Sequence, residues 1–315
     1  MASSYPRIKK VACVGSGLVG QGWAALFALH GFEVVLEDMK EDVLKEAVVR
    51  VGNQMRFLEE AGLAKGAKEA LGRVKTSTDL VGTVKWADFV QESIYESYDA
   101  KKALFSKMDE VADKDVIFAS STSGLMMTEI QKAVKRHPER CIVAHPWNPS
   151  YLVPLVELSP GKQTSKDTTE RTYDLMEQIG KTPVVLKKEV PGFIANRLSV
   201  ALWREALDLV DSGVASVEDV DKAVRAGPGI RWAIMGPYLT YHLGGGKGGI
   251  EYIMRHIGPT KSSWLETMAK WTSIPESAVD KAIKGVNELR AVKDKSFEEL
   301  EEWRDERLAK ILKLL

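Results

Sequence analysis

Two residues of the sequence could together move a proton. His145 follows the apolar run 141–144, and Glu157 is a single ionisable residue inside the apolar run 153–158. A buried carboxylate is costly unless it has a partner, and a histidine is a natural one. Such a pair could remove a hydroxyl proton while hydride leaves the same carbon, which is the chemistry of alcohol oxidation. Glu157 would then fix the tautomer of the imidazole and stabilise its protonated form.

Two further polar residues could bind the reacting oxygen. Ser123 comes shortly after the apolar run 116–119, and Asn196 follows a Pro-Gly dipeptide at residues 191–192. A hydroxyl and an amide can hydrogen-bond an alcohol or ketone oxygen and orient it. Each also has an ordinary structural interpretation, because serine often caps a helix and asparagine can be a polar helix residue. His145 by itself could likewise be a structural histidine.

A glycine-rich segment predicts a dinucleotide site. Residues 15–20 read G-S-G-L-V-G between an apolar run and a helical pattern, and an aspartate ends the next apolar run. The glycines would permit a tight turn and close approach of a pyrophosphate to a helix N-terminus. The aspartate would bind the adenosine ribose and repel a 2′-phosphate, so NAD is favoured over NADP. Glu37 beside it is interpreted as a solvated charge. The predicted cofactor-binding residues are Gly15, Gly17, Leu18, Val19, Gly20 and Asp38.

The elements that hold these residues alternate in the first half of the chain and are helical in the second. Apolar runs separated by helical patterns predict an α/β fold with a parallel sheet. No β-alternation is evident after residue 190. We expect an α/β domain over residues 1–190 and an all-α domain over 191–315. The predicted strands are 11–14, 33–36, 88–91, 115–119, 141–144, 153–158 and 183–186. The predicted helices are 18–31, 41–62, 168–179, 193–212, 217–225, 263–272, 275–289 and 296–315.

The composition argues against several classes of protein. The 315 residues carry 44 basic and 44 acidic side chains, whereas nucleic-acid-binding proteins usually have a basic excess. No stretch approaches the roughly 18 apolar residues of a membrane span, and residues 1–10 lack the apolar core of a secretory signal. No metal-ligand cluster is visible, so no metal is expected. Cys13 and Cys141 lie in apolar runs and are interpreted as buried thiols of a cytoplasmic protein.

The sequence resembles the 3-hydroxyacyl-CoA dehydrogenase superfamily over essentially its full length. The resemblance implies a Rossmann-like N-terminal domain that binds NAD and a C-terminal all-α dimerisation domain, hence a homodimer. The motifs that carry it are residues 15–20 (GSGLVG), 120–123 (SSTS), 145–149 (HPWNP), 155–157 (LVE) and 191–197 (PGFIANR).

The resemblance also implies roles for individual residues. His145 would be the catalytic acid/base and Glu157 its orienting partner, while Asn148 would support the site. Glu96 and Lys101 would approach the cofactor or substrate, although they could instead be a solvated charge pair at the start of a helix. The residues implied to contact the substrate oxygen are Ser123 and Asn196.

Within the superfamily, the sequence is most similar to the branch of lambda-crystallin, L-gulonate 3-dehydrogenase and L-carnitine dehydrogenase. Residues 227–233 (GPGIRWA) and 303–306 (WRDE) carry that likeness, and residues 202–207 (LWREAL) and 239–245 (LTYHLGG) look most like the carnitine enzymes. Oxidation of L-carnitine to 3-dehydrocarnitine is therefore expected first, with L-gulonate and then a 3-hydroxyacyl-CoA as alternatives. A crystallin-like structural protein or an NAD-binding regulator that turns nothing over are alternatives from other classes.

The chemistry of the expected substrate suggests how it would be bound. L-Carnitine is a small 3-hydroxy carboxylate, and Arg231 could bind its carboxylate bidentately, unless that arginine forms a structural ion pair. Aromatic faces attract a quaternary ammonium, and Trp147 and Trp232 are the predicted aromatic contacts. Most aromatic residues at helical spacing belong to a core, so at most two or three should line a pocket. The wider set of aromatic candidates also includes Tyr151, Trp203, Tyr238 and Tyr241.

Overall fold

The computed structural model describes residues 8–315, which form two compact units. The first unit comprises the described chain up to Asn196 together with Asp305–Leu314, and the second comprises Arg197–Arg304 and Leu315. The sequence predicts a boundary after residue 190, whereas the contacts divide the chain after Asn196. Residues 1–7, part of the segment in which the sequence predicts no secretory signal, lie outside the described part.

An eight-stranded sheet forms the centre of the first unit. Its strands are β1 (Lys10–Val14), β2 (Glu33–Glu37), β3 (Val74–Ser77), β4 (Phe89–Glu92), β5 (Ile117–Ser120), β6 (Cys141–Pro146), β7 (Leu155–Pro160) and β8 (Thr182–Val185). The strand order is β3-β2-β1-β4-β5-β6-β7-β8. Neighbouring strands are parallel except β6 and β7, which are antiparallel. The connection between β6 and β7 spans only residues 147–154, too short for the crossover that parallel strands need.

Seven α-helices of the described residues lie wholly within this unit, and the sequence predicts three of them. The other four helices are unpredicted, and three of them are short. In the longest of the four, the buried face carries Lys101 and Asp109 beside apolar residues, so no apolar period is visible. Three of the four residues of the unpredicted edge strand β3 are polar, and two are exposed. The helices are α1 (Leu18–Leu29), α2 (Glu41–Glu60), α3 (Ala67–Leu71), α4 (Leu80–Trp86), α5 (Tyr98–Val111), α6 (Met127–Gln131) and α7 (Lys166–Gln178), with a 3-10 turn at Pro138–Arg140.

The remaining described chain is helical, and its first helix begins at the end of the first unit. No strand occurs among residues 197–304, as the sequence predicts. The helices are α8 (Ala195–Asp211), α9 (Val217–Ala226), α10 (Pro228–Trp232), α11 (Pro237–Gly244), α12 (Gly249–Tyr252), α13 (Gly258–Thr267), α14 (Glu276–Glu288), α15 (Arg290–Lys293) and α16 (Phe297–Leu312). A 3-10 turn at Gly246–Gly248 and a π-helical turn at Ile253–Ile257 complete the list.

The core of the first unit lies on both faces of the sheet. Successive residues of β1 alternate between the two apolar clusters: Val11 and Cys13 belong to one, and Ala12 and Val14 to the other. A strand that is buried on both faces reads as a continuous apolar run, which is why the sequence reveals it. Together with the matching helices, this arrangement confirms the expected Rossmann-like α/β domain followed by a helical domain.

Buried polar contacts fix the start of the strand that carries His145. Arg140, immediately before β6, pairs with buried Asp109 of α5 at 2.6 Å, and its guanidinium lies 4.2 Å from the ring centroid of Phe118.

Cys13 and Cys141 are buried and free, as predicted, and burial raises the pKa of both thiols. No helix within residues 8–315 has the length and apolar character to cross a bilayer.

Candidate active site

His145 and Glu157 face each other across the antiparallel pair β6 and β7. In the register of these strands they are directly opposite, and opposed side chains lie on the same face of a sheet. Nδ1 of His145 is 3.1 Å from Oε2 of Glu157, and both side chains are buried. The structure thus places the two predicted partners within hydrogen-bonding distance.

The Glu157 carboxylate is 1% exposed and accepts hydrogen bonds at both oxygens. Oε2 also accepts from the indole N–H of Trp147 at 3.4 Å, and Oε1 accepts from the backbone amides of Ile194 and Ala195 at 2.8 and 2.9 Å. The two amides lie at the N-terminus of α8, where the helix dipole favours negative charge. Burial alone raises the pKa of Glu157, but the bonds from His145, the two amides and Trp147 hold it below its ordinary value. Glu157 is therefore ionised at neutral pH.

The charge on Glu157 decides which nitrogen of His145 is basic. An ionised carboxylate only accepts hydrogen bonds, so His145 donates through its Nδ1–H. In a neutral imidazole, Nε2 then carries the free lone pair. No residue of the described chain hydrogen-bonds Nε2, which is therefore able to accept a proton from a reactant.

Phe193 supports the imidazole through a strained turn. Its buried ring lies 5.4 Å from the His145 ring, measured between centroids. The φ of Phe193 is 53°, in the left-handed region, which costs roughly 1–3 kcal/mol for such a residue. Gly192 before it has a φ of 76°, and together they aim the following two amides at Glu157. The sequence signals this turn only through its Pro-Gly dipeptide and indicates no role for Phe193.

Ser123 and Asn196 are brought together at the same helix start. Nδ2 of Asn196 donates to the backbone carbonyl oxygen of Ser123 at 2.8 Å. Asn196 directly follows Ala195, whose amide binds Glu157, so two consecutive helix residues connect the carboxylate to the serine turn. Ser123 is exposed, and its hydroxyl has no hydrogen-bond partner among residues 8–315. That hydroxyl is therefore available to a reactant.

Glu96 and Lys101 hold the turn that carries Ser123. Oε1 of Glu96 accepts from the Ser123 amide at 2.9 Å and from the Thr122 hydroxyl at 2.6 Å. Lys101 is 1% exposed, and its ammonium lies 2.6 Å from buried Glu92 and 3.7 Å from Glu96. The alternative interpretation as a solvated charge pair is wrong for Lys101, because burial and an ion pair enclose it. The sequence indicates no role for Glu92, since its burial depends on the packing of β4 against β5.

The two other predicted residues of the histidine motif differ in their contacts. Trp147 is half-buried and anchored to Glu157 by its indole N–H. Asn148 is exposed, and no hydrogen bond of its side chain occurs in the described part of the chain. Tyr151 packs edge-on against Phe57 and donates to Asp305, so its ring is held against the C-terminal helix. Of the aromatic candidates in this unit, Trp147 therefore stands nearest the proton-transfer pair.

A cavity of about 690 Å³ opens at the carboxyl ends of β1, β2 and β4. Open α/β sheets bind ligands at this edge. We refer to it as the β1–β2 cavity. Its lining comprises residues 14–17, 37–39, 78–81 and 93–95, with Ala100, Leu104 and Lys107.

The three motif glycines have distinct surroundings. A Cβ at Gly15, whose φ is 96°, would lie 2.7 Å from the Ser93 carbonyl oxygen, and one at Gly20 would lie 1.9 Å from the Gly15 carbonyl oxygen. Both positions exclude any side chain because backbone atoms fill the space. Nothing lies within 4 Å of a Cβ built at Gly17, which caps α1 at the mouth of the cavity. The first turn of α1, with Leu18 and Val19, carries no acidic residue, so its positive end suits a phosphate.

Two adjacent acidic residues, the last residue of β2 and the one after it, line this cavity. Asp38 accepts from the Ser16 amide and hydroxyl at 2.9 and 2.7 Å, which ties it to the glycine turn. Glu37 is 6% exposed, so its interpretation as a solvated charge is wrong. Its side chain lines the cavity, as does that of Lys107 of α5. These residues fit a dinucleotide: an open helix N-terminus for the pyrophosphate, followed by a carboxylate for the ribose.

The predicted substrate-binding residues of the second unit are exposed within it. Arg231 of α10 forms no ion pair with any described residue, so the structural ion-pair alternative is not supported. Trp232 is exposed beside it in sequence, as are the other aromatic candidates of this unit, against the expectation that most are core residues. The ring of Tyr241 has the ammonium of Lys261 3.7 Å above it. No group of three or more His, Cys, Asp or Glu side chains that could hold a metal occurs between residues 8 and 315.

The chain matches two domain families along its length. Residues 10–190 match the NAD binding domain of 3-hydroxyacyl-CoA dehydrogenase, and residues 192–285 match the C-terminal domain of 3-hydroxyacyl-CoA dehydrogenase. An L-carnitine dehydrogenase from Oceanobacillus iheyensis is 40% identical over 98% of both chains. These findings show that the protein is an NAD-dependent oxidoreductase that acts on a CH–OH group.

Two solved structures of dehydrogenases are similar to this chain over most of its length. A 5-formyl-3-hydroxy-2-methylpyridine 4-carboxylic acid 5-dehydrogenase, described as an NAD+ dependent dismutase, superposes with a TM-score of 0.84 at 29% identity over 98% of both chains. An (S)-3-hydroxybutyryl-CoA dehydrogenase from Ralstonia eutropha gives a TM-score of 0.66 at 29% identity, covering 82% of this chain and 89% of its own. From the architecture, the site and these similarities, the chain belongs to the 3-hydroxyacyl-CoA dehydrogenase family.

Proposed function

We propose that the enzyme oxidises the 3-hydroxyl of L-carnitine to give 3-dehydrocarnitine, with His145 as the acid/base. The observation that carries the chemistry is the bond between His145 Nδ1 and Glu157, which leaves Nε2 free to take a proton. The 40% identity to an L-carnitine dehydrogenase over nearly the full chain supports the substrate.

In the forward reaction, the substrate hydroxyl loses its proton to Nε2 of His145 as the C3–H bond breaks. When bound, the nicotinamide ring supplies the acceptor for the hydride. Glu157 stabilises the imidazolium that forms, because its charge lies on the opposite nitrogen. In the reverse direction the same imidazolium returns the proton to the ketone oxygen.

Ser123 and Asn196 orient the reacting oxygen in this proposal. The free hydroxyl of Ser123 donates to that oxygen, and the bond from Asn196 to the Ser123 carbonyl oxygen fixes the turn. The Asn196 amide keeps a second N–H that can reach the same oxygen. Glu96 and Lys101 position the turn from the other side, and Asn148, which is exposed, supports the site in this proposal.

The glycine segment and Asp38 bind the cofactor in this proposal. Gly15 and Gly20 shape the turn, and Gly17 leaves room for the pyrophosphate beside the amides of Leu18 and Val19. Asp38 binds the adenosine ribose and excludes a 2′-phosphate by charge and space. The bonds from Ser16 hold its carboxylate in place before a ligand arrives.

The two charges of L-carnitine select its contacts. Arg231 binds the carboxylate as a bidentate pair, since its guanidinium has no acidic partner in the described chain. Trp147 and Trp232 supply aromatic faces for the quaternary ammonium, each worth roughly 0.5–2 kcal/mol. Trp203 and Tyr238 are further candidates, whereas Tyr241 already faces Lys261.

L-Gulonate and a 3-hydroxyacyl-CoA remain the alternative substrates. The coenzyme A ester is favoured by the family descriptions and by the similarity to a 3-hydroxybutyryl-CoA dehydrogenase. A small carboxylate is favoured by the structure with the higher TM-score, whose name is that of a pyridine carboxylic acid enzyme. A crystallin-like structural role would leave the partnered histidine without a use.

We also propose a homodimer formed through the helical unit. Large apolar side chains are exposed in α10 and α11 and between them, and exposed apolar patches mark interaction sites. The cytoplasmic location expected from the sequence stays a prediction.

The substrate assignment predicts the order of initial rates of NADH formation. With L-carnitine, D-carnitine, L-gulonate and L-3-hydroxybutyryl-CoA compared side by side, kcat/KM is highest for L-carnitine. Arg231→Ala raises the KM for L-carnitine by about 10–100-fold, the usual effect of losing a charged hydrogen bond. Exposed Arg225→Ala is the matched control and leaves KM unchanged.

Other outcomes of that comparison decide between the alternatives. A preference for L-gulonate keeps the carboxylate contact but removes the need for aromatic contacts to an ammonium. A preference for the coenzyme A ester contradicts the carnitine proposal.

The proton-transfer pair predicts that substituting either residue lowers turnover without lowering the affinity for the cofactor. His145→Ala lowers kcat by about 10²–10⁴-fold, and Glu157→Gln lowers it by about 10²-fold or more. NADH affinity, followed by fluorescence titration, stays within about threefold. His137→Ala is the control, because His137 also contacts a glutamate, Glu139 at 3.0 Å, but on the surface. Turnover of His145→Ala within threefold of the unsubstituted enzyme would contradict the role.

The open space at Gly17 predicts that a side chain added there weakens cofactor binding without lowering the stability of the fold. Gly17→Ala leaves the unfolding temperature nearly unchanged, because nothing surrounds the added methyl group, but weakens NAD binding by about tenfold or more. Gly236→Ala is the matched control: Gly236 also caps a helix with extended backbone and open space. Unchanged calorimetric affinity for NAD in Gly17→Ala would show that the pyrophosphate lies elsewhere.

The dimer predicts a sedimenting mass of twice the 34.9 kDa of one chain. Ile234→Glu places a charge on a residue that is 67% exposed and shifts the sedimentation profile toward the monomer. A monomer in the unsubstituted protein at micromolar concentration contradicts the proposal.

A further inference from the structure

The β1–β2 cavity offers more than a ribose carboxylate. Beyond Asp38 its wall is formed by apolar side chains of α4 and α5, among them Leu80, Val81 and Leu104. Apolar walls suit an aromatic base, and the covalent connection of adenine to the ribose brings the base to the side of Asp38. The polar groups in this part of the cavity then decide which base edge it accepts.

Glu37 is the buried polar group of that wall. Its side chain is more than nine-tenths buried, yet no described residue donates a hydrogen bond to its carboxylate. It lines the cavity together with Lys107. A buried carboxylate without a hydrogen-bond donor is costly, so a ligand that supplies a donor there gains binding free energy by removing that cost.

The neighbouring acidic residues are already committed. Asp38 accepts from Ser16 and from the amide of Met39. Asp79 caps α4 by accepting from the amide of Gly82 at 3.0 Å. Only Glu37 among the three keeps both oxygens for a ligand.

We propose that Glu37 accepts a hydrogen bond from the exocyclic amino group of adenine and makes the cofactor site specific for that base edge. Adenine carries its donor only at this amino group, beside the ring nitrogen acceptors. Lys107, on α5, supplies the matching donor to an acceptor nitrogen of the ring. Hypoxanthine has a carbonyl oxygen in place of the amino group, and the Glu37 carboxylate repels an oxygen at that position.

The electrostatics of the cavity supports this assignment. Burial, Asp38 and Asp79 raise the pKa of Glu37 and Lys107 lowers it, and together they bring the pKa to about 7. A donor from the ligand favours the charged carboxylate, so binding releases a proton near neutral pH. NAD affinity therefore rises as pH increases through about 7, because the free protein then no longer has to lose that proton.

The test compares NAD with nicotinamide hypoxanthine dinucleotide by isothermal titration calorimetry, without substrate. The unsubstituted protein binds NAD at least about tenfold more tightly than the hypoxanthine dinucleotide, and tenfold corresponds to ~1.4 kcal/mol. In Glu37→Gln the amide can accept or donate, so the preference falls to within threefold. In Glu37→Val the preference is also lost, through weaker binding of NAD.

Titrations at pH 6 and pH 8.5 supply a second readout. Affinity for NAD increases several-fold with pH in the unsubstituted protein and is flat in Glu37→Gln. Glu33→Gln is the control, because Glu33 is an exposed glutamate at the opposite end of the same strand. It leaves both the base preference and the pH dependence unchanged.

Two results would overturn the inference. One is a preference for NAD below threefold in the unsubstituted protein. The other is an unchanged preference in Glu37→Gln. Because Glu37→Gln conserves the shape of the side chain, it tests the inference even if Glu37→Val fails to fold. Neither depends on which hydroxy acid is oxidised, so failure of the L-carnitine proposal leaves this measurement intact.

Discussion

The Glu157 carboxylate accepts hydrogen bonds from two separate parts of the chain, and the geometry of the site depends on it. It binds the imidazole of His145, the indole of Trp147 and two amides at the start of α8. A buried carboxylate with fewer donors would take up a proton or move toward water. Because these donors keep it charged, the same group sets the histidine tautomer and fixes where α8 begins.

From that helix start the contacts continue to the serine turn. Asn196 reaches the Ser123 carbonyl oxygen, and Glu96 binds the Ser123 amide from the opposite side. The buried pair of Lys101 and Glu92 lies beneath this turn. Such networks are sensitive to the loss of any member, because each remaining partner is then buried without a hydrogen bond.

The topology places the cofactor groups and the proton-transfer groups along one sheet. The glycine turn and the acidic end of β2 lie at the carboxyl edge of parallel strands. The connection after β6 is too short for a crossover, so β7 returns antiparallel and brings Glu157 opposite His145. One reversal of strand direction therefore creates the acid/base pair within an otherwise parallel sheet.

Local sequence determined the features that depend on neighbours in the chain. The glycine turn followed by Asp38, the buried strands with their continuous apolar runs and the isolated ionisable Glu157 are all visible without coordinates. Long-range packing decided the rest. Glu37 is buried because helices of distant sequence cover its side of β2, and Lys101 can be buried because its ammonium pairs with Glu92 of β4. The left-handed backbone of Phe193 is held by the bonds from the next two amides to Glu157. Burial and strain are properties of the surroundings that the fold creates, and residue type alone does not contain them.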